Sequence, residues 1–349
     1  MFDRRDFLRS LMGVTAGLAI GRPALAGEAQ AGAAAMASPP TEDRLGKLLP
    51  MRRMGRTNEW VTTLGLGGSH IEYRGRISMK EAQAIIESAM EEGVRFFDNA
   101  QQYGNGEAER RFGQFLTPKY RDVIYLMSKT QATTRKQAER DMDECRSRMK
   151  VDVIDLMQVH HIASPEDVDQ RIDAGVVDVL LKAREEGKIR HLGFTGHDTH
   201  RAHLHMLKRL DAMGVEFDTV QMPMNVVDPS YESFILEVLP ALVERDYGVL
   251  AMKTLAFGQI VGKNEGWGRK NRVAPKVVPE KMTLAEALGF VWSLPVSTII
   301  SGMMSPEMVR ENAALARAHV DLTEEHRLAL IDKASEFAGP DTEFYKDRV

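Results

Sequence analysis

Short apolar runs alternate with longer amphipathic stretches along most of this chain, starting near Val61. Apolar runs of this length are typical of buried strands, whereas apolar residues that recur at helical spacing are typical of amphipathic helices. The pattern predicts eight strands: Thr63–Gly67, Arg95–Phe97, Val123–Met127, Val153–Val159, Leu192–Phe194, Thr219–Met222, Gly248–Met252 and Ser297–Ile300.

A predicted helix follows each strand, with one more at the end of the chain. Glycine stands just past several of these stretches, where helices commonly end. The predicted helices are Met79–Glu92, Glu107–Leu116, Thr134–Met149, Asp167–Glu186, His200–Met213, Tyr231–Arg245, Thr283–Trp292, Pro306–Ala318 and Glu324–Phe337.

Eight strand–helix units over about 250 residues match the size of a (β/α)₈ TIM barrel. We therefore predict an α/β fold with one barrel domain over residues 51–320. Residues 51–61 are expected to form an N-terminal β-hairpin that closes the barrel bottom, and residues 321–349 an extra C-terminal helix and tail. Residues 258–281 lack periodicity and are expected to form a long loop on the active face.

The first 50 residues differ from the rest. Arg4 and Arg5 precede an apolar run over 11–20, and Ala24-Leu25-Ala26 forms a small-x-small cleavage pattern. These are the three parts of an export signal, and the run is too short to span a bilayer. Residues 1–26 resemble a twin-arginine signal, which implies the twin-arginine export machinery as a partner and a periplasmic protein with no stable membrane span in its mature form. An uncleaved anchor and a cytoplasmic location are the alternatives. Residues 27–50 are expected to be a linker.

Composition narrows the function classes. Hydrophobic residues make up 43% of the 349 and charged residues 28%, as in ordinary globular proteins. The net charge of −4 gives no basic footprint for nucleic acid. Cys145 is the only cysteine, so it forms no internal disulfide and no cysteine-rich metal site. No His/Asp cluster is evident at the predicted strand ends, so no metal is predicted.

Side chains that could assist the reduction of a carbonyl group lie at successive strand ends, where TIM barrels place their catalytic groups. Asp98 ends the second strand and Tyr103 follows it, Lys129 ends the third, and His160 ends the fourth. A tyrosine can donate the proton, and a nearby ammonium lowers the tyrosine pKa. The carboxylate would hold the lysine, and the histidine would orient the substrate. Taken singly, each is more often a capping or surface residue; their joint placement favours a catalytic site.

These segments resemble the aldo-keto reductase family. The stretch from Phe96 to Gly104 is similar to the family's second-strand motif, and Ser128-Lys129-Thr130 and the Asp155–His160 segment to its lysine and histidine motifs. The likeness covers nearly all of residues 51–320. It implies reversible hydride transfer between a nicotinamide cofactor and a small-molecule aldehyde, ketone or sugar carbonyl, with Tyr103 as general acid.

The resemblance also implies where the cofactor binds. Its predicted contacts are Thr195, Gln221, Asn225, Met252, Lys253, Leu255, Gly302, Ser305, Glu311 and Asn312. NADP is the family default, but Gly302, Met303 and Met308 stand where NADP-preferring relatives place basic residues, so NAD competes. Predicted substrate-pocket walls are His70, Tyr73, His161 and Trp267. One of the two adjacent histidines is expected to point away from the pocket, and His160 is assigned the catalytic role.

The sequence also allows two other classes of function. Some relatives of this family are cofactor-sensing regulatory subunits with slow or absent turnover. A different barrel enzyme, such as an isomerase or a metal-dependent hydrolase, is the second alternative, because the fold alone does not decide function. An exported member of the family would meet no pool of free nicotinamide, so it is expected to carry its cofactor with it.

Overall fold

The computed structural model describes residues 38–72, 75–263 and 274–346. Eight parallel strands within them close into a barrel, which confirms the predicted TIM-barrel fold. In chain order, the strands are β1 (Glu42–Asp43), β2 (Gly46–Lys47), β3 (Met51–Arg53), β4 (Trp60–Thr62), β5 (Leu64–Gly67), β6 (Phe96–Asp98), β7 (Tyr125–Thr130), β8 (Ile154–Val159), β9 (Ile189–Thr195), β10 (Thr219–Pro223), β11 (Gly248–Met252) and β12 (Thr298–Ser301). Strands β5 to β12 form the barrel, and β12 pairs with β5 to close it.

The predicted hairpin is present and lies at the barrel bottom. Strands β3 and β4 pair antiparallel, with Arg52 opposite Val61. Met54 and Val61 are fully buried and share one hydrophobic cluster with barrel residues such as Phe96 and Leu156. The apolar side chains of the hairpin complete the core between the strands, and the hairpin thereby closes the barrel bottom.

A second hairpin precedes it, and the predicted linker is wrong in its last part. Strands β1 and β2 pair antiparallel, and Leu49 is buried. The guanidinium of Arg95, itself buried, donates to Asp43 at 2.6 Å and 3.1 Å. Ordered structure thus begins before Met51, because this bidentate ion pair fastens the hairpin to the barrel.

The helices surround the barrel in the predicted order. Serine or threonine caps most of the longer ones, and Ser78 and Thr283 form full capping boxes with the glutamates three residues on. The α-helices are Ser69–Glu72, Met79–Glu91, Glu107–Phe115, Thr117–Tyr120, Arg135–Met149, Pro165–Asp173, Val176–Glu185, His200–Met213, Phe234–Glu237, Leu239–Glu244, Val277–Glu280, Leu284–Trp292, Pro306–Ala318 and Glu324–Ser335; Gly55–Thr57, Asp228–Ser230 and Ala256–Val261 are 3₁₀ helices.

Two predicted helices are each split in two. The stretch 167–186 breaks at Gly175, whose φ of 75° is left-handed and costs little without a Cβ. The stretch 231–245 breaks at Val238, and Pro240 stands in the first turn of the second piece. Proline tolerates that position because its missing N–H would have no helical partner there. Apolar periodicity continues through both breaks, which is why it predicted single helices.

The C-terminal helix is present, and the tail beyond it packs into the fold. Glu343, Tyr345 and Lys346 are buried, and the Lys346 ammonium donates to Asp228 and Glu343 at 2.8 Å and 2.9 Å. This ion-paired cluster fixes the tail at the carboxyl ends of the barrel strands. Parts of the predicted 258–281 loop form short helices, and residues 264–273 lie outside the described structure. In the described ranges, no helix is both long and apolar enough to cross a membrane.

Candidate active site

The four predicted catalytic residues meet in one cavity of about 630 Å³ at the carboxyl ends of the barrel strands. Asp98 ends β6, and Tyr103 lies in the loop after it. Lys129 lies on β7, whose neighbour β8 leads directly into His160. Parallel strands bring these ends to the same rim, so residues up to 62 positions apart in the sequence line one pocket.

A buried ion pair forms the centre of the site. The side chains of Lys129 and Asp98 are 1% and 3% exposed and are hydrogen bonded to each other. The same ammonium donates to the carbonyl oxygen of Asn99 at 2.7 Å and to the Tyr103 hydroxyl oxygen at 3.1 Å. Burial raises the pKa of Asp98 and lowers that of Lys129, and the attraction between them opposes both shifts. The three donors of the ammonium are thereby fully used.

The pKa of Tyr103 shifts in the direction opposite to the prediction. Burial raises it well above its usual value, and the charge of Asp98 adds to the rise. The prediction took Asp98 only as the group that holds Lys129, and it left out both the burial of the phenol and the effect of the Asp98 charge on it. Tyr103 is therefore a neutral phenol across the physiological range, with a proton to donate.

His160 lies against Tyr103. Their rings meet edge to face, with centroids 5.9 Å apart. Burial, with the positive charge of Lys129, lowers the pKa of His160 well below its usual value, so the imidazole is neutral. Its Nδ1 is buried and has no hydrogen-bond partner among the described residues. A neutral imidazole beside the phenol can hydrogen bond a carbonyl oxygen without competing for the proton.

His161 also lines the cavity, which corrects the expectation that one of the two histidines points away. Its φ of 58° is left-handed, so the chain turns sharply after His160. Its Nε2 lies 3.1 Å from Asp198, and Asp198 also pairs with His197 Nδ1 at 2.6 Å. The two strand ends, each carrying adjacent polar residues, thus both contribute to the cavity wall.

This arrangement overturns the statement that no His/Asp cluster stands at the strand ends. His161, His197 and Asp198 place one ligand atom each within 4.8 Å of one another. Burial, with the nearby Lys253 ammonium, lowers the pKa of His197 to about 4. Burial opposes ionisation of Asp198, but hydrogen bonds from both imidazoles lower its pKa. The cluster was not predicted because its members follow two different strands, with His161 and His197 36 residues apart in the chain.

Six of the predicted cofactor residues line the cavity: Thr195, Gln221, Met252, Lys253, Leu255 and Gly302. The Gln221 side chain is 2% exposed, and its Oε1 has no hydrogen-bond partner within the described ranges. A Cβ on Gly302 would lie 2.2 Å from His70 Nδ1, so a side chain at this position would require the His70 ring to move.

Four predicted cofactor residues do not line the cavity. Ser305 caps the Pro306–Ala318 helix, Asn312 donates to Ser301 Oγ at 2.9 Å, and Glu311 is exposed. Asn225 is buried, and its amide donates to Glu343 at 3.1 Å and to the Tyr345 hydroxyl at 3.0 Å. The Asn225 amide, which was expected to bind the cofactor, therefore hydrogen bonds the C-terminal tail instead.

Of the predicted substrate walls, His70 and His161 line the cavity, whereas Tyr73 and Trp267 lie outside the described residues. Sequence reasoning missed several lining residues, notably Gln102, Gln131 and Lys263. Position relative to a strand end was the available signal for Gln131, which comes two residues after Lys129. Lys263 belongs to a loop whose path no periodicity specifies.

The residues present fit a nicotinamide cofactor. The unpartnered Gln221 Oε1 is an acceptor of the kind that a carboxamide N–H requires, since a buried acceptor left unpaired is costly. The side chains of Lys253 and Lys263 line the same cavity and provide positive charge for a pyrophosphate. Gly302 lets the backbone approach a ligand closely. Gln221, Lys253, Lys263 and Gly302 would hold the cofactor.

Comparison with known proteins agrees with this geometry. Residues 63–336 match the model of the Aldo/keto reductase family. The chain is similar to L-galactose dehydrogenase of Arabidopsis thaliana, at 26% identity over 76% of this chain and 88% of that protein. It is equally similar to D-threo-aldose 1-dehydrogenase of a Pseudomonas species, at 26% identity over 74% and 91%. The holo form of an aldo-keto reductase from Bacillus halodurans shares the fold, with a TM-score of 0.68, 20% identity and coverage of 84% of this chain and 99% of that one.

Proposed function

This chain belongs to the aldo/keto reductase family as an NAD(P)-dependent oxidoreductase of carbonyl compounds, and we propose that Tyr103 is its proton donor. The observation that supports this most directly is the hydrogen bond of 3.1 Å from the buried Lys129 ammonium to the Tyr103 hydroxyl oxygen. When bound, the nicotinamide cofactor supplies the hydride for reduction.

Proton transfer and orientation of the substrate are carried out by Tyr103, Lys129 and His160. The Tyr103 phenol hydrogen bonds the substrate oxygen and gives it a proton as the alcohol forms. The Lys129 ammonium stabilises the resulting tyrosinate until solvent returns the proton, and Asp98 keeps that ammonium in place. The neutral His160 imidazole donates a second hydrogen bond to the substrate oxygen and orients the carbonyl.

Replacing Tyr103 by phenylalanine tests the assignment. We expect Tyr103→Phe to lower kcat for carbonyl reduction by at least ~10²-fold, the scale of general acid catalysis, and to leave the cofactor Kd nearly unchanged. Steady-state kinetics and cofactor fluorescence titration measure the two quantities. Tyr120→Phe, at the end of a surface helix outside the cavity, is the matched control and should keep full activity. A Tyr103→Phe enzyme with most of its turnover would refute the role.

For the substrate, we infer a polyhydroxylated carbonyl compound of the aldose class. Polar side chains line much of the cavity that holds the catalytic residues, among them His70, Glu72, Gln102, Gln131, His161 and His197. Groups of this kind can hydrogen bond the hydroxyls of a sugar, whereas an apolar substrate offers them no such partner. The names of the two sugar dehydrogenases similar to this chain agree with this choice.

A substrate panel tests the aldose assignment. We expect kcat/KM for aldoses to exceed that for unbranched aliphatic aldehydes of the same carbon number by ~10²-fold or more, because only the aldoses can hydrogen bond the polar side chains that line the cavity. Gln131→Leu should reduce this ratio and leave the rate with the aliphatic aldehyde largely unchanged. Equal kcat/KM values for the two substrate classes would contradict the proposal and leave the reductase chemistry standing.

For the cofactor, we propose that NAD binds at least as well as NADP, although NADP is the family default. Gly302, Met304 and Met308 line the end of the cavity near the Pro306–Ala318 helix, and none carries a charge. Arg310 pairs instead with Glu307 at 2.7 Å on the exposed side of that helix. A 2′-phosphate placed there would lack the charge-assisted hydrogen bonds that favour NADP.

We further propose that the protein is exported by the twin-arginine route with its cofactor bound. The predicted signal, residues 1–26, lies outside the described residues, so this proposal rests on the sequence. Retention of the cofactor is supported by the buried tail: Phe344 packs against Phe257, a cavity residue, with ring centroids 5.8 Å apart. The Lys253 ammonium also lies 5.3 Å from the Tyr345 ring. Retention requires slow release, because affinity differences between related sites lie mostly in the rate of dissociation.

Fractionation and mass spectrometry test export and retention together. We expect the cleaved protein in the periplasm, with nearly one nicotinamide cofactor per chain after prolonged dialysis, and the mass of that cofactor distinguishes NAD from NADP. Changing both Arg4 and Arg5 to lysine should keep the protein in the cytoplasm. Uncleaved wild-type protein in the cytoplasm would contradict export, and a periplasmic protein that purifies empty would contradict retention alone.

A further inference from the structure

Three side chains of the types that can bind a metal ion meet at the ends of β8 and β9, outside the proposed catalytic group. His161 Nε2 and His197 Nδ1 lie 3.1 Å and 2.6 Å from the same oxygen, Oδ1 of Asp198. The two imidazole rings are 4.7 Å apart and tilted by 31°. The three ligand atoms all lie within 4.8 Å of one another.

We propose that His161, His197 and Asp198 bind a divalent transition-metal ion, with zinc as the best match. Two imidazole nitrogens and one carboxylate form a ligand set that zinc uses in catalytic sites, where the remaining position stays open. Metal–ligand bonds of about 2.0–2.2 Å require ligand atoms only a few ångströms apart, as these are. Iron(II) uses the same set, whereas magnesium and calcium favour all-oxygen sites.

The two loops that carry the ligands are tied together before any ion binds. The backbone N–H of Ile162 donates to the carbonyl oxygen of Thr195 at 2.9 Å. Gly196 is so close to this neighbour that a Cβ on it would lie 2.5 Å from the Ile162 carbonyl oxygen. Arg171 donates to the carbonyl oxygens of His160 and His161 and holds the first loop from behind. The ligand positions are therefore set by backbone contacts, which lowers the cost of binding.

Burial and charge also suit a metal site that opens to the cavity. The Asp198 side chain is 5% exposed, that of His197 11% and that of His161 34%. The carboxylate is thus anchored in the protein while the imidazoles border the cavity. The backbone carbonyl oxygen of Tyr345 accepts a hydrogen bond of 3.1 Å from His197 Nδ1, so an ion bound at this nitrogen would replace the Nδ1 proton and this hydrogen bond.

The ion would lie next to His160 on the cavity wall. An open coordination position there would bind a substrate hydroxyl or carboxylate and fix the substrate's orientation relative to Tyr103. This orienting role rests on the proposed reductase function, but metal binding itself does not.

Zinc binding to the chelator-treated mature protein, without any histidine tag, tests the site. Isothermal titration calorimetry with Zn²⁺ alone is expected to show one tight site per chain. Co²⁺ as a substitute should give the strong visible absorption of a low-symmetry, four- or five-coordinate ion. His161→Asn, which tolerates the left-handed backbone, and Asp198→Asn should each weaken Zn²⁺ binding by ~10²-fold or more, because even outer-shell changes cost up to that much.

His205→Gln is the matched control, because His205 also pairs with an aspartate, Asp169 at 2.8 Å, but without a second histidine. It should bind Zn²⁺ as the wild type does. Circular dichroism melting shows whether each variant is folded, and the partly exposed His161 keeps the test informative if Asp198→Asn unfolds. No tight site in the wild type, or a site lost in His205→Gln and kept in His161→Asn, would overturn the proposal. Reduction of an apolar aldehyde, measured in parallel with Tyr103→Phe, reports on the reductase chemistry independently.

Discussion

The buried ion pair between Asp98 and Lys129 is the constraint on which the rest of the site depends. Two charges almost completely removed from water are costly, and they persist only if each remains paired and hydrogen bonded. The ammonium satisfies this with three acceptors, one of which is the Tyr103 oxygen. The position of the phenol is therefore set by the same contacts that make burial of the charges possible.

The barrel supplies the geometry that this pair requires. Strands β6 and β7 are neighbours in the barrel, which brings the end of one beside Lys129 on the other. Below them, the hairpin side chains of Met54 and Val61 fill the barrel bottom, so the strands are held from that end as well. Above them, the buried tail with Lys346 braces the wall on the cofactor side. The cavity is thus supported by the packed barrel core on one side and by the packed C-terminal tail on another.

Much of this could be predicted from the sequence, because barrel strands and their ends leave local signals. All eight strands were predicted near their observed positions, and placement at strand ends was enough to bring Asp98, Lys129 and His160 together. The predictions that failed concern contacts between residues that are far apart in the chain. The hairpin within residues 41–50 is held by the ion pair between Asp43 and Arg95. The Asn225 amide hydrogen bonds Glu343, which lies more than 100 residues further along the chain. The His161–Asp198 contact joins the ends of two different strands, and the upward shift of the Tyr103 pKa comes mainly from burial, which the position of a residue at a strand end does not specify.

A double-variant comparison tests most directly whether Asp98 and Lys129 act as one unit. Urea denaturation gives the unfolding free energy of Asp98→Asn, of Lys129→Met and of the protein with both changes. Each single change leaves a buried charge without its partner and should cost roughly 3–5 kcal/mol, whereas the double change removes both charges and should cost clearly less than the sum. A double variant whose loss equals the sum of the two single losses would contradict the coupling and, with it, the placement of Tyr103 by this pair.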